Sequence, residues 1–179
     1  MSNWLNHNID RRRFLKFSGG TAAGLVAAGC ALTGEESDVA AERTDLRATL
    51  PYPRTVVARA TELEVDKPLV FSYPDDQSPC AVLKTGNPTP GGVGPDGDIV
   101  AYSTQCPHMG MPLSYDPEAR TFKCFKHFSI YDPEALGQQV CGQSTENMPR
   151  VQLDYDGETD ELLAIGVAGL IYGRVSNII

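Results

Sequence analysis

Two short runs constrain this chain more than any other feature: Cys106-Pro107-His108 and Cys124-Phe125-Lys126-His127. Each places one thiolate and one imidazole within reach of a single inorganic centre. Fifteen residues separate the runs, and two of the chain's three histidines sit in them. C-x-H followed by C-x-x-H matches the ligands of a two-iron, two-sulfide cluster in which two His replace two Cys on one iron. The expected assignment is Cys106 and Cys124 on one iron, and His108 and His127 on the other, with one [2Fe-2S] cluster per chain. Neutral imidazoles place less negative charge on their iron than thiolates do, so electron uptake is easier than in an all-Cys cluster. A Cys2His2 zinc site uses the same four ligands. Zinc fingers, however, cluster Cys with Cys and His with His, whereas each run here holds one of each. Electron transfer is the expected role.

Length and charge narrow the class. A chain of 179 residues suits one domain plus an appendage. A hydrophobic fraction of 41% and seventeen glycines fit a globular, turn-rich protein. The formal charge of −8 is unevenly placed. Residues 1–34 hold Arg11, Arg12, Arg13 and Lys16 against Asp10 alone, which leaves 11 basic and 22 acidic side chains, or −11, on the rest. Such a surface repels nucleic acid, and no Lys/Arg stripe offers a phosphate track. The acidity favours solubility and would also steer a basic redox partner.

The N-terminus has the form of an address. Arg11-Arg12-Arg13-Phe14-Leu15-Lys16 precedes a mild apolar run from Phe17 to Leu32. That order fits the twin-arginine export pattern R-R-x-F-L-K. The run is rich in Gly and Ala and shorter than the about 20 strongly apolar residues a spanning helix needs. Residues 1–34 are therefore expected to be an export signal and the protein periplasmic, with at most a weak membrane association through residues 14–32. Export of the folded protein suits a cluster that must be built in the reducing cytosol. Ala27-Ala28-Gly29-Cys30 resembles a lipoprotein cleavage box, with Ala27 where Leu is usual. Lipidation at Cys30, cleavage nearby and retention as an anchor all stay open. Residues 35–49 are charged, lack aromatics and form the expected linker.

From Leu50 onward the pattern is β, and residues 50–179 are expected to form one domain. Strands are expected at Val56–Ala58, Leu69–Tyr73, Cys80–Lys84, Ile99–Ser103, Arg120–Lys123, Val151–Tyr155, Leu162–Val167 and Leu170–Tyr172, separated by Gly and Pro clusters. Asp156-Gly157 is a turn signal. No segment sustains a 3.6-residue apolar stripe over three turns. The expected fold class is all-β with antiparallel sheets, and the ligand runs lie in loops 105–112 and 123–131. Gly92-Val93-Gly94-Pro95-Asp96-Gly97 formally matches G-x-G-x-x-G, but prolines precede and interrupt it and a β run follows. It is a glycine-rich loop rather than a dinucleotide site.

The ligand runs resemble those of Rieske proteins. That resemblance implies that hydroxyls at Ser129 and Tyr131 hydrogen-bond a bridging sulfide and a ligand cysteine sulfur, raising the potential. Gly110 and Pro112 become tight-turn residues beneath the cluster. Many high-potential members tie their two loops with a disulfide. The matching positions here are Met111 and Lys126, so the cluster itself and packing, with Met111 and Phe125 as candidates, must hold the loops. Cys80 and Cys141 could pair or stay free.

More specifically, the chain is similar to the small subunit of periplasmic arsenite oxidase. The likeness covers Leu50-Pro51-Tyr52-Pro53-Arg54, Ser78-Pro79-Cys80, Pro90 to Asp96, Asp98 to Ser103 and Leu170-Ile171-Tyr172-Gly173-Arg174. It implies a three-sheet Rieske fold and a large molybdopterin catalytic subunit on which arsenite is oxidised. Electrons would leave through this subunit to a cytochrome c or azurin-like carrier. The subunit itself would hold no catalytic residue. The related iodate reductase, with electron flow reversed, is the alternative. A quinol-cytochrome c oxidoreductase fits less well, because that version keeps a membrane anchor and the loop disulfide. A Rieske oxygenase fails, because only His7 remains for a second iron site. A freestanding carrier differs from the first reading only in lacking a large partner. The acceptor, flow direction, cleavage site and oligomeric state are not set by the sequence.

Overall fold

A computed structural model describes residues 51–178; the expected export signal, Cys30 and the whole of the expected linker, residues 35–49, lie outside the described residues. Ten short strands build two antiparallel sheets. They are β1 (Thr55–Arg59), β2 (Leu69–Ser72), β3 (Pro79–Lys84), β4 (Ile99–Ser103), β5 (Ser114–Asp116), β6 (Thr121–Lys123), β7 (Ile130–Asp132), β8 (Gln138–Cys141), β9 (Arg150–Asp156) and β10 (Glu161–Ala168). The larger sheet has the order β1-β10-β9-β4-β3-β2, and the smaller β5-β6-β7-β8. Two sheets thus stand where the resemblance implies three. The reason is the β4–β9 pairing, Ala101 opposite Val151 and Tyr102 opposite Arg150, which joins β1-β10-β9 to β4-β3-β2.

Side-chain alternation in β3 and β4 gives the fold its two cores. Successive residues of a strand point to opposite faces. Cys80, Val82, Ile99 and Ala101 enter one core with Leu162, Ala164 and Ile171. Ala81, Leu83, Val100 and Tyr102 enter the other. All five residues of β4 are buried, as a strand covered on both faces must be, and its run Ile-Val-Ala-Tyr is apolar for that reason. The second core continues into Cys106, Leu113, Phe122, Cys124, Tyr131 and Met148. The two cysteines expected as ligands are therefore core residues beside the smaller sheet.

Polar contacts fix the smaller sheet against the larger. The Tyr102 hydroxyl donates to the Pro133 carbonyl at 2.7 Å. Arg120, in the β5–β6 turn, bonds Glu134, the Asp66 carboxylate at 3.2 Å and the Thr85 carbonyl. Tyr115 donates to Asp66 at 2.6 Å.

The expected strand Leu170–Tyr172 does not form. Gly169 turns the chain with φ +92°. The Asn177 amide then takes the ladder's place, accepting from the Ile171 N–H at 2.9 Å and donating to the Gly169 carbonyl at 2.7 Å. The glycine-rich segment 92–97 forms turns closed by a Val93–Ile99 bridge, with no helix opening from it.

Candidate metal centre

The loop carrying Cys106 and His108 connects β4 to β5, and the loop carrying Cys124 and His127 connects β6 to β7. Both loops fold the same way. In each, the cysteine N–H donates to the carbonyl five residues on, Cys106 to Met111 and Cys124 to Ser129, both at 2.8 Å. The cysteine carbonyl accepts from the N–H four residues on, Gly110 at 2.7 Å and Phe128 at 2.9 Å. That fourth residue is left-handed in both loops, Gly110 at φ +69° and Phe128 at φ +60°. Glycine adopts this conformation freely, while Phe pays a steric cost that the closed loop must hold. In the first loop a Cβ at Gly110 would lie 2.7 Å from a Tyr172 ring carbon, so the ring rests on the bare glycine backbone. Pro112 sits at the loop mouth, bridged to Gln105.

This closure leaves Cys106 and Cys124 in one core and the His108 and His127 rings in contact. Cys106 and Cys124 are 1% and 2% exposed. The His108 and His127 rings meet edge to face, with centroids 4.8 Å apart and planes at 79°. Nδ1 of each imidazole is buried without a hydrogen-bond partner. An unpaired buried polar atom costs about 1–3 kcal/mol, and a bound metal would take the lone pair of each. A [2Fe-2S] cluster of mixed ligation takes two thiolates on one iron and two imidazoles on the other. The donor set therefore fits a [2Fe-2S] cluster.

Tyr131 and Ser129 both lie at this site and are fully buried. The Tyr131 hydroxyl is 3.3 Å from Cys106 Sγ. Burial, reinforced by Cys106, pushes its pKa up to about 12, so it keeps its proton and acts as a donor. Ser129 Oγ accepts the Ser144 N–H at 3.0 Å. The loop disulfide positions, Met111 and Lys126, are exposed, and so is Phe125 at 71%. Each loop is closed by its own backbone bonds. Cys80 and Cys141 are free thiols. Cys80 is sealed in the first core, where burial pushes its thiol up to about 12, while Cys141 is exposed at the end of β8. Three contributors escaped the sequence reading: Ser144, Gly142 and Arg120. A serine or glycine beyond β8 signals nothing until the register of that strand is known.

Two cores sharing one pair of strands, with a Cys-His loop on each side of the smaller sheet's entry, define a mixed-ligand iron–sulfur electron-transfer domain. The model of the Rieske [2Fe-2S] domain family matches residues 54–152. Iodate reductase subunit IdrB of Pseudomonas sp. (strain SCT) is 36% identical over 168 residues, covering 92% of this chain and 82% of that protein. The IdrB of Denitromonas iodatirespirans is 36% identical over 129 residues, covering 70% and 69%. Among solved structures, the soluble domain of Rieske protein II (soxF) from Sulfolobus acidocaldarius superimposes with a TM-score of 0.61 at 25% identity, over 69% of this chain and 82% of that one. The chain belongs to the Rieske [2Fe-2S] family. It is an iron–sulfur electron-transfer subunit.

Proposed function

We propose that this chain is the Rieske subunit of a periplasmic molybdenum enzyme acting on an inorganic oxyanion, with Cys106, Cys124, His108 and His127 as the cluster ligands. The observation that carries the ligand assignment is the pair of buried, unpartnered imidazole nitrogens beside two buried thiols. When bound, the cluster takes up and releases one electron. The chain's own residues hold and tune it. Two closed loops fix the ligands, and Tyr131 donates to Cys106 Sγ. Ser129 would donate to a bridging sulfide.

The likeness to IdrB over nearly the whole chain favours iodate reductase as the enzyme. Electrons would then run from a cytochrome c or azurin-like carrier through this subunit to a large molybdopterin subunit. The segments at Leu50–Arg54, Pro90–Asp96 and Leu170–Arg174 favour the second reading, arsenite oxidase, with flow reversed. Met109, Met111, Phe125 and Phe128 give the cluster loops an apolar exposed surface whose one charge is Lys126. Such a face suits contact with a redox partner, and the acidic remainder suits steering of a basic one. Residues 1–34 would export the folded protein through the twin-arginine route.

The purified chain should contain about two irons and two sulfides and give a rhombic electron paramagnetic resonance signal when reduced. Stoichiometric zinc without iron would sink the ligand assignment. Co-expression with a candidate molybdopterin large subunit, followed by assays with iodate and arsenite, decides the substrate. Failure to co-purify with any molybdenum protein would favour a freestanding carrier.

A further inference from the structure

We infer that the turn Gly142–Ser144, which follows β8, is a positioning element for the Ser129 hydroxyl and thereby helps set the cluster's potential. The inference rests on the ligand assignment above. Ser129 is fully buried, and its Oγ accepts the Ser144 N–H at 3.0 Å. A hydroxyl has one proton and two lone pairs. With one lone pair held by Ser144, the rotor is restricted, and its proton must point elsewhere than at the Ser144 N–H.

The donor is itself fixed. Ser144 is buried, and its hydroxyl accepts from the Glu146 N–H at 3.3 Å and donates to the Glu146 carbonyl at 3.0 Å. The turn also lies directly on the second loop's backbone. A Cβ at Gly142 would stand 2.5 Å from the Phe128 carbonyl oxygen and 2.6 Å from the Ser129 nitrogen. Gly142 has φ +102°, so glycine is required there for conformation as well as for space. The peptide it covers is the one following left-handed Phe128. The β7–β8 pairing, with Ile130 opposite Cys141, sets this register. In sum, one turn holds both the backbone and the hydroxyl of Ser129.

A hydrogen bond to the cluster stabilises the reduced, more negative form more than the oxidised one. Misdirecting the Ser129 proton should therefore lower the potential without removing a ligand. The test uses the full cluster-loaded chain and equilibrium redox titration. Ser144→Pro deletes the N–H that bonds Ser129. It should weaken electron uptake about tenfold, which is about 59 mV for one electron, with two irons retained. In a Ser129→Ala background the same change should have no further effect, and Thr145→Ala, in the same turn but exposed, should leave the potential unchanged. Gly142→Ala should lower the potential in the same sense, and decides the matter if Ser144→Pro does not assemble. Hydrogen exchange reads the bond without altering the turn: the Ser144 amide should be protected, and at least tenfold less so in Ser129→Ala. An unchanged potential with an intact cluster, an equal drop in the Ser129→Ala background, or an unprotected Ser144 amide each overturns the proposal. A chain that binds no cluster even as wild type fails earlier, on the ligand assignment.

Discussion

Replacing Tyr131 by Phe removes one oxygen from the buried site and leaves the ring that packs the second core. The hydroxyl lies 3.3 Å from Cys106 Sγ, and it remains protonated at neutral pH because burial holds its pKa at about 12. A hydrogen bond to a charged acceptor contributes about 1.5–3 kcal/mol. Both redox states accept it, and only the difference between them moves the potential. If about half is differential, the loss is about 1 kcal/mol. At about 59 mV per tenfold change in a one-electron equilibrium, that is a fall of roughly 40 mV. The backbone loop bonds and all four ligands are untouched, so iron and sulfide content should not change. Redox titration at neutral pH, followed by circular dichroism and electron paramagnetic resonance, measures the shift. An unchanged or higher potential with a full cluster would refute the role given to this hydroxyl.

Three other outcomes follow from the contacts that hold the fold. Arg120→Ala should lower the unfolding free energy by about 1–2 kcal/mol in urea. This counts one hydrogen bond to a backbone carbonyl and discounts two half-exposed ion pairs for screening; no change would mean that Arg120 does not hold the sheets together. Asp75 accepts both Nη atoms of Arg174, at 2.6 and 2.8 Å, and this contact draws its pKa below the ordinary value. Its contribution is therefore complete above the ordinary carboxylate value of about 3.9 and is lost as pH falls further, through the depressed folded value; melting temperature below pH 4 should drop less steeply in Asp75→Asn. Removing the iron should release the amides of β5–β8 to hydrogen exchange while β9 and β10 stay protected, and uniform loss across both sheets would contradict the division into two cores.

Most of the larger sheet was legible because its strands are long and patterned. The run Ile99–Ser103 is a strand end to end, and β3, β9 and β10 fall within a residue or two of the alternating segments. Asp156-Gly157 does turn the β9–β10 hairpin. Strands β5, β7 and β8 went unseen because three or four residues are too few to show a period. Leu170–Tyr172 has the composition of a strand, and only the Asn177 side chain seven residues beyond Leu170 explains why it bends. The ligand spacing and the Ser129 and Tyr131 hydroxyls could be read from adjacent residues. Gly142, Ser144 and Arg120 act across chain separations that no local pattern reports. The Arg120 side chain, for instance, joins Asp66, Thr85 and Glu134.

The placement of Cys106 and Cys124 inside the second core explains why a site can be built on such slight strands. Four strands of three or four residues cannot bury much apolar surface, and short sheets of this kind are marginal alone. Here the cysteines complete a core whose opposite wall is Leu83, Val100 and Tyr102 of the larger sheet. Under the proposed ligand assignment, the same side chains that pack this core would present their sulfurs to iron. Without metal, the two buried, unpartnered imidazole nitrogens would leave the smaller sheet paying for desolvation with nothing in return. Metal binding and folding of this half would then be coupled, with Met111 and Lys126 exposed and taking no part. The two loops are held from below by the shared strands and laterally by the turn after β8, so their exposed tips would be free to meet the proposed redox partner.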